Sequence, residues 1–424
     1  EAFGFDDARI AALPALKAHS GAVAAAFHDA PSEKLDVLAV TGTNGKTSTV
    51  WWLAQALAAR RCAMVGTLGV GFPPAAGAAL DGLRPTGLTT PDAVLLQGSL
   101  RSFADAGATA CAIEASSIGI EDHRLGGVHI RTAIFTNLTQ DHLDYHGTMQ
   151  AYWQAKQRLF AWPGLQAAVV NIDDARGPEV LAIAKGRGQR LLTIGRREGA
   201  DLRITAQRYD ATGQDLRFTY KGAAHMVRLN LIGGFQAENV LAAAGLAIGA
   251  GAEARAVFDV LPQLITVRGR MELAATRTNG ATVFVDYSHK PGALASALQS
   301  LRPHVMGRIV VVFGAGGDRD RLKRPLMGQA AAANADVVIV TDDNPRSEEP
   351  SAIRAEVMAG CPEATEVGDR AEAILRGVDA LLPGDALLIA GKGHETGQIV
   401  GDDVYPFDDA EQASVAVAAL DGLI

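Results

Sequence analysis

Lys46 and Thr47 close the run Gly42-Thr43-Asn44-Gly45-Lys46-Thr47-Ser48, and this combination can bind the phosphates of a nucleotide. A glycine turn opening a helix presents backbone N–H groups to an anion. The lysine reaches the outer phosphates and the threonine hydroxyl can ligate Mg²⁺. The common pattern is Gly-x-x-x-x-Gly-Lys; here only Thr43 and Asn44 separate Gly42 from Gly45. Glu114 ends the apolar run 110–113, where an unpaired carboxylate is costly. A metal ion would account for it; a surface-loop position is the alternative. His142 lies in the polar cluster Thr136-Asn137-Leu138-Thr139-Gln140-Asp141-His142-Leu143-Asp144. It can ligate a metal, act as a base, or be structural. Lys156 stands on a helical stretch and by itself reads as a solvated lysine.

Further along, Gly269-Arg270-Met271-Glu272 and Asp286-Tyr287-Ser288-His289 lie near an expected domain junction. An arginine there can reach phosphates or make an interdomain ion pair. Arg319, Asn344, Arg346 and Glu395 form a mixed-charge set. Two arginines and a carboxylate suit a small zwitterion with more than one carboxylate, because arginine pairs carboxylates in a two-pronged way. A surface ion-pair network is the alternative.

These residues need strand ends to hold them. The apolar run 37–40 reads as a buried strand, and 51–59 as the helix behind the phosphate loop. Short β-like runs then alternate with helical stretches to about residue 251, the pattern of a mostly parallel α/β sheet. Residues 201–232 look like an antiparallel insertion, and 241–248 like an Ala-rich helix. A second α/β unit starts near residue 268, with expected strands at 282–285, 308–313, 337–341 and 386–389. Each is followed by a polar loop, and ligands bind at such strand ends. The expected division is 1–34, an Ala-rich stretch with no strong motif; 35–266, the unit with the phosphate loop; and 267–424, the second α/β unit.

The 424 residues are 48% hydrophobic and 20% charged, ordinary for a globular chain, and the length predicts two or three domains. The net charge of −8 gives no sign of nucleic-acid binding, so an anionic ligand needs local cations. Three dispersed cysteines form no CxxC pair, which argues against a disulfide framework or zinc site and fits a reducing cytoplasm. No apolar run approaches the ~20 residues of a membrane span.

Taken in order, the motifs resemble those of the Mur ligases, and among them the members that add diaminopimelate. The shortened loop Gly42 to Thr47 looks like that family's form. So do Thr136-Asn137-Leu138 with Asp141-His142-Leu143-Asp144, Gly269-Arg270-Met271-Glu272, and Gly314 to Asp320 with Lys323-Arg324-Pro325. The resemblance implies a central P-loop-type ATPase domain followed by a Rossmann-like α/β domain. It implies an ATP- and Mg²⁺-dependent ligase joining meso-diaminopimelate to UDP-N-acetylmuramoyl-L-alanyl-D-glutamate through an acyl phosphate, in peptidoglycan precursor synthesis. The implied protein is cytoplasmic and monomeric.

Carried over by position, Gly42, Thr43, Asn44, Gly45, Lys46, Thr47 and Ser48 would hold ATP phosphates, and Lys46, His142 and Lys156 would be catalytic. Thr47, Glu114 and His142 match Mg²⁺ ligands, and Lys156 matches a carbamylated lysine beside a second Mg²⁺. Asn239 matches an adenine-side position, and Arg270 and Asp286 match phosphate and ribose contacts. Thr89, Thr90, Ser116 and Arg124 match contacts to the UDP-muramoyl dipeptide. Arg319, Asp343, Asn344, Pro345, Arg346, Gly391 and Glu395 match the diaminopimelate site. Arg346 would pair the second carboxylate that lysine lacks.

Departures are Ser288 and Lys290, where the family usually has Ala and Thr, and Ile118 and Asp122, where some relatives have His and Gln. Asp122 puts an acid near an anionic substrate. Only about 35 residues precede the central domain, where the family has a uridine-gripping domain. Alternatives are an L-lysine-adding ligase, a nucleotide-binding module without ligase activity, and a folylpolyglutamate-synthetase-like ligase. The Asp-Asn-Pro-Arg and Gly-Lys-Gly-His-Glu loops speak against the last.

Overall fold

The computed structural model describes residues 13–73 and 82–423. Contacts group them into two compact units, one of 1–204, 219–224 and 239–260 and one of 205–218, 225–238 and 261–424. The second unit's continuous stretch thus begins at Leu261, against the expected 267, and some residues of the 201–232 region group with it.

Eleven strands form the first sheet: β1 (Asp36–Thr41), β2 (Ala63–Gly66), β3 (Gly69–Gly71), β4 (Leu83–Arg84), β5 (Ala110–Glu114), β6 (Ile130–Phe135), β7 (Ala167–Asn171), β8 (Arg190–Gly195), β9 (Leu202–Asp210), β10 (Gly213–Tyr220) and β11 (Ala223–Leu229). Their order is β11-β10-β9-β8-β7-β6-β1-β5-β2-β3-β4. Strand β1 lies between β5 and β6, parallel to both, so Thr41, Glu114 and Phe135 end side by side. These strands are buried on both faces, which explains their continuous apolar runs. The region 201–232 is β9, β10 and β11, which extend the edge of this sheet; β9 joins β8 in parallel.

The second sheet contains β12 (Glu272–Thr276), β13 (Thr282–Asp286), β14 (Ile309–Phe313), β15 (Val337–Val340), β16 (Thr365–Glu366) and β17 (Ala386–Ala390), ordered β12-β13-β17-β14-β15-β16. All neighbours except β12 and β13 run parallel. Apolar clusters cover both faces: one around Leu298, Phe313 and Met327, the other around Ile374, Val378 and Ala413. The ends of β13, β17, β14 and β15 therefore lie together, and the polar loops read from the sequence leave from them. An antiparallel hairpin, β18 (Gly397–Val400) and β19 (Asp403–Pro406), completes the strands. Among the described residues no helix is long and apolar enough to cross a membrane.

Candidate active site

Strand β1 delivers the chain to Gly42, and the helix behind the loop runs Lys46–Ala56, starting earlier than the 51–59 read from the sequence. Gly45 caps it at φ +82, and a Cβ there would meet Asn239 Oδ1 at 2.2 Å. The left-handed backbone favours glycine, and a larger residue would also displace the Asn239 side chain. This helix has no side-chain cap, and a helix N-terminus suits an anion.

The segment after β6 holds the loop in shape. Thr43 N donates to Asn137 O and Asn44 N to Asn137 Oδ1, both at 2.9 Å, while Thr136 Oγ1 donates to Asn44 O at 2.9 Å. Thr43 Oγ1 accepts from Thr139 N at 3.0 Å and lies 3.1 Å from the Tyr152 hydroxyl. Lys46 folds back over the loop, donating to Gly42 O at 3.0 Å and Thr43 O at 2.8 Å. Thr47 is buried in the first helical turn, with Ser48 beside it.

Glu114 is 1% exposed at the end of β5, but its carboxylate is not unpaired as the sequence suggested. Oε1 accepts from Thr67 N at 2.8 Å and Oε2 from Thr67 Oγ1 at 3.3 Å. Thr67 follows β2, a neighbour that no local pattern around Glu114 could reveal. Both donors are neutral, and the buried carboxyl oxygens are donors of the kind that a divalent cation takes. Carboxylate and hydroxyl oxygens, as at Glu114 and Thr47, are the donor class that suits Mg²⁺. Among the described residues no three His, Cys, Asp or Glu side chains gather as a preformed cage.

His142 adopts a left-handed backbone (φ 50), and its Nε2 lies 3.4 Å from Asp141 Oδ2. Lys156 is 1% exposed, which corrects its reading as a solvated lysine. The helix Met149–Gln157 turns Tyr152, Trp153, Ala155 and Lys156 inward. Lys156 Nζ donates to Gly42 O at 2.7 Å and stands 4.5 Å above the Tyr152 ring, one turn away on the same face.

Thr89, Thr90, Ser116 and Arg124 form one connected patch beside Glu114. Thr90 Oγ1 donates to Glu114 O at 2.7 Å and lies 2.9 Å from Ser116 Oγ, and Arg124 Nη1 donates to Thr90 O at 3.0 Å. Thr89 Oγ1 lies 3.1 Å from Thr67 Oγ1. Asp122 is neutralised within this patch by Lys17 at 2.6 Å and Arg124 at 2.9 Å, and it accepts from the Tyr145 hydroxyl at 3.2 Å. The bond from Lys17, more than any other contact, holds its carboxyl below the usual range. Asp122 therefore steadies Arg124 and does not present an unbalanced acid.

In the second unit Asp286 ends β13, buried, accepting from Met271 N at 2.8 Å and from the Ser288 hydroxyl. Burial raises its carboxyl above the ordinary value. Arg270 lies 4.4 Å over the Tyr287 ring. Tyr287 also packs against His289 and His394, with ring centroids 4.5 and 5.0 Å away.

The loops after β14 and β15 interlock. Gly317 N donates to Asn344 O at 2.9 Å, and a Cβ at Gly317 would meet Pro345 O at 1.9 Å. Arg346 Nη1 donates to Gly317 O at 2.8 Å and Asn344 O at 3.4 Å, so it grips backbone and not a surface carboxylate. Arg319 is exposed and donates to Asp318 O at 3.0 Å. Asn344 Nδ2 donates to Glu395 Oε2 at 2.9 Å, and Asp343 Oδ2 would lie 2.6 Å from a Cβ at Gly391.

Residues to which the motif reading gave no role build the supports. Fully buried Arg324 binds Glu348 at 2.7 and 2.9 Å and Glu356 at 2.8 Å, and Glu348 accepts from Asp318 N at 2.7 Å. Buried Lys392 lies 3.6 Å from Glu395. Arg324 stands within the motif Lys323-Arg324-Pro325; only its lack of exposure marks it as a support.

The family description Mur ligase middle domain matches residues 40–247, and Mur ligase, glutamate ligase domain, matches 269–393. The UDP-N-acetylmuramoyl-L-alanyl-D-glutamate–2,6-diaminopimelate ligase of Bradyrhizobium diazoefficiens is 48% identical over 396 residues, covering 92% of this chain and 80% of that protein. A solved structure of a ligase of that name superposes with a TM-score of 0.71 at 37% identity, covering 98% of this chain and 85% of the other. Folylpolyglutamate synthase of Mycobacterium tuberculosis superposes with a TM-score of 0.72 at 19% identity, covering 96% of this chain and 95% of the other, a likeness of fold alone.

Proposed function

The chain belongs to the Mur ligase family, and from that premise we propose that it joins meso-diaminopimelate to UDP-N-acetylmuramoyl-L-alanyl-D-glutamate at the expense of ATP. The observation carrying the nucleotide half is the phosphate loop, with Lys46 held over it and Lys156 buried against Gly42 O. The γ-phosphoryl group passes to the substrate's free carboxylate, giving an acyl phosphate. The diaminopimelate amine attacks the acyl carbon, and the tetrahedral adduct expels phosphate. Catalysis is mainly positioning and charge neutralisation.

In this reading Gly42 to Ser48 bind the phosphates, Lys46 neutralises charge that develops on the γ-phosphoryl group, and Asn239 borders the adenine. Thr47, Glu114, His142 and carbamylated Lys156 would hold Mg²⁺, which would supply further charge neutralisation. Thr89, Thr90, Ser116 and Arg124 receive the muramoyl dipeptide; Arg270 and Asp286 serve the phosphate and ribose of ATP. Arg319, the Asp343 to Arg346 loop, Gly391 and Glu395 receive diaminopimelate. Residues 35–266 act as the ATP-binding domain and 267–424 as the amino-acid-binding domain, in a monomer working in the cytoplasm.

Arg346 favours diaminopimelate over lysine. Its hydrogen bonds to Gly317 O and Asn344 O both use Nη1. The Nε–Nη2 edge is then the fork that can pair a second carboxylate. The test is phosphate release with ATP, Mg²⁺ and the UDP-muramoyl dipeptide, comparing meso-diaminopimelate with L-lysine. Release with diaminopimelate alone is expected. Equal release with lysine refutes the specificity, and release with neither refutes the ligase reading.

A further inference from the structure

Arg370 and Asp409 form an ion pair in which both side chains are 0% exposed. The contact is two-pronged, with Nε to Oδ1 and Nη2 to Oδ2 both at 2.7 Å. The same guanidinium donates through Nη1 to Asp342 O at 3.2 Å and through Nη2 to Ala390 O at 3.1 Å. Asp342 directly precedes the Asp343-Asn344-Pro345-Arg346 loop, and Ala390 directly precedes Gly391 and the loop to Glu395. These loops leave β15 and β17, which are not neighbours, because β14 runs between them. One buried side chain thus bridges two loops across an intervening strand. Asp409, at the start of the helix Asp409–Leu420, holds the guanidinium through its carboxylate.

Stability is a poor explanation for this arrangement. Burying two charges costs several kcal/mol per ion, and apolar replacements of such pairs are often neutral or stabilising. What apolar side chains cannot supply is the pair of donors to two strand-end carbonyls.

We propose that Arg370, held by Asp409, is a positioning residue that sets the spacing between the two acceptor loops, bringing Asn344 and Glu395 into contact and aiming Arg346 at the acceptor. The inference rests on the reading of these loops as the diaminopimelate site.

The test compares the full chain with R370M/D409L, which replaces the pair by apolar groups, and with R370K, which keeps the charge but not the fork. Steady-state phosphate release is measured while varying each of the three substrates in turn, and melting temperatures are recorded. The double variant is expected to raise KM for diaminopimelate about ten- to a hundredfold, as misplacement of about an ångström does. KM for ATP and for the UDP-muramoyl dipeptide should stay within about twofold, because uniform damage would move all three. R370K should fall between the two proteins, and it supplies the comparison if the double variant does not fold. A folded variant with unchanged KM for diaminopimelate overturns the inference alone. So does a parallel rise in all three KM values together with a lowered melting temperature. No diaminopimelate-dependent release by the unmodified chain overturns the acceptor reading and this inference with it.

Discussion

Replacing Arg346 by alanine removes the guanidinium that we propose pairs the second carboxylate of diaminopimelate. The residue sits at φ 53, a left-handed conformation that Arg and Ala tolerate about equally badly, so R346A leaves the backbone cost unchanged. Its amide bond to Ile399 O at 3.1 Å also survives. What disappears is the proposed two-pronged contact to the far carboxylate, together with the Nη1 bonds to Gly317 O and Asn344 O. Each charge-assisted hydrogen bond contributes about 1.5–3 kcal/mol, and for a half-buried site the low end applies, giving about 3 kcal/mol for the pair. At 1.4 kcal/mol per decade, kcat/KM for diaminopimelate should fall a little over a hundredfold. For L-lysine, which has no second carboxylate, the change should be under about threefold. The assay is phosphate release under kcat/KM conditions with each amino acid. R346G is the control, because glycine relieves about 1 kcal/mol of backbone cost while also lacking the guanidinium. If both amino acids lose activity equally in R346A, or if R346G recovers diaminopimelate use, Arg346 acts through the loop backbone and the carboxylate argument is refuted.

Two further outcomes follow from buried groups. Lys156→Arg keeps a cation near Gly42 O but has no amine to form a carbamate, so kcat should fall about a hundredfold or more with nucleotide affinity nearly unchanged; unchanged kcat would remove the carbamate from the mechanism. Burial first, and then Lys290 and Lys323, push His289 down to about 4, while burial, Arg270 and Arg268 push His394 down to about 3. Unfolded, both titrate near 6.5, so between that pH and their folded values the unfolded chain binds more protons and stability falls with acidification. Melting temperature should drop from pH 7 to pH 5 by an amount equivalent to at most about 2 kcal/mol per histidine, and the drop should shrink in His289→Gln; an equal drop in that variant refutes the assignment.

The strands that hold both sites were legible because parallel strands buried on two faces are short continuous apolar runs, as at 37–40 and 386–389. Element ends were less so: the helix read from Trp51 begins at Lys46, because the polar Lys46-Thr47-Ser48-Thr49 carries no apolar period although all but Lys46 are buried. Local pattern also concealed the long-range partners. Nothing near Glu114 announces Thr67, and nothing near Lys156 announces the Gly42 carbonyl, which is 114 residues away. Asp122 looked unfavourable until Lys17 was placed against it. Arg370 and Asp409 belong to no recognised motif; their role depends on strand order, which a one-dimensional reading does not contain.

The close approach of Gly317 to Pro345 bears on any redesign of this chain. The atom in the way is a backbone carbonyl oxygen, 1.9 Å from where a Cβ would stand, so no change of rotamer can make room. Grafting a foreign 342–348 loop alone would have to reproduce that carbonyl's position to fit the resident 314–319 segment. On the proposed reading of these loops, acceptor preference is therefore better altered through the side chains at 319 and 346, or by moving both segments together as one cassette.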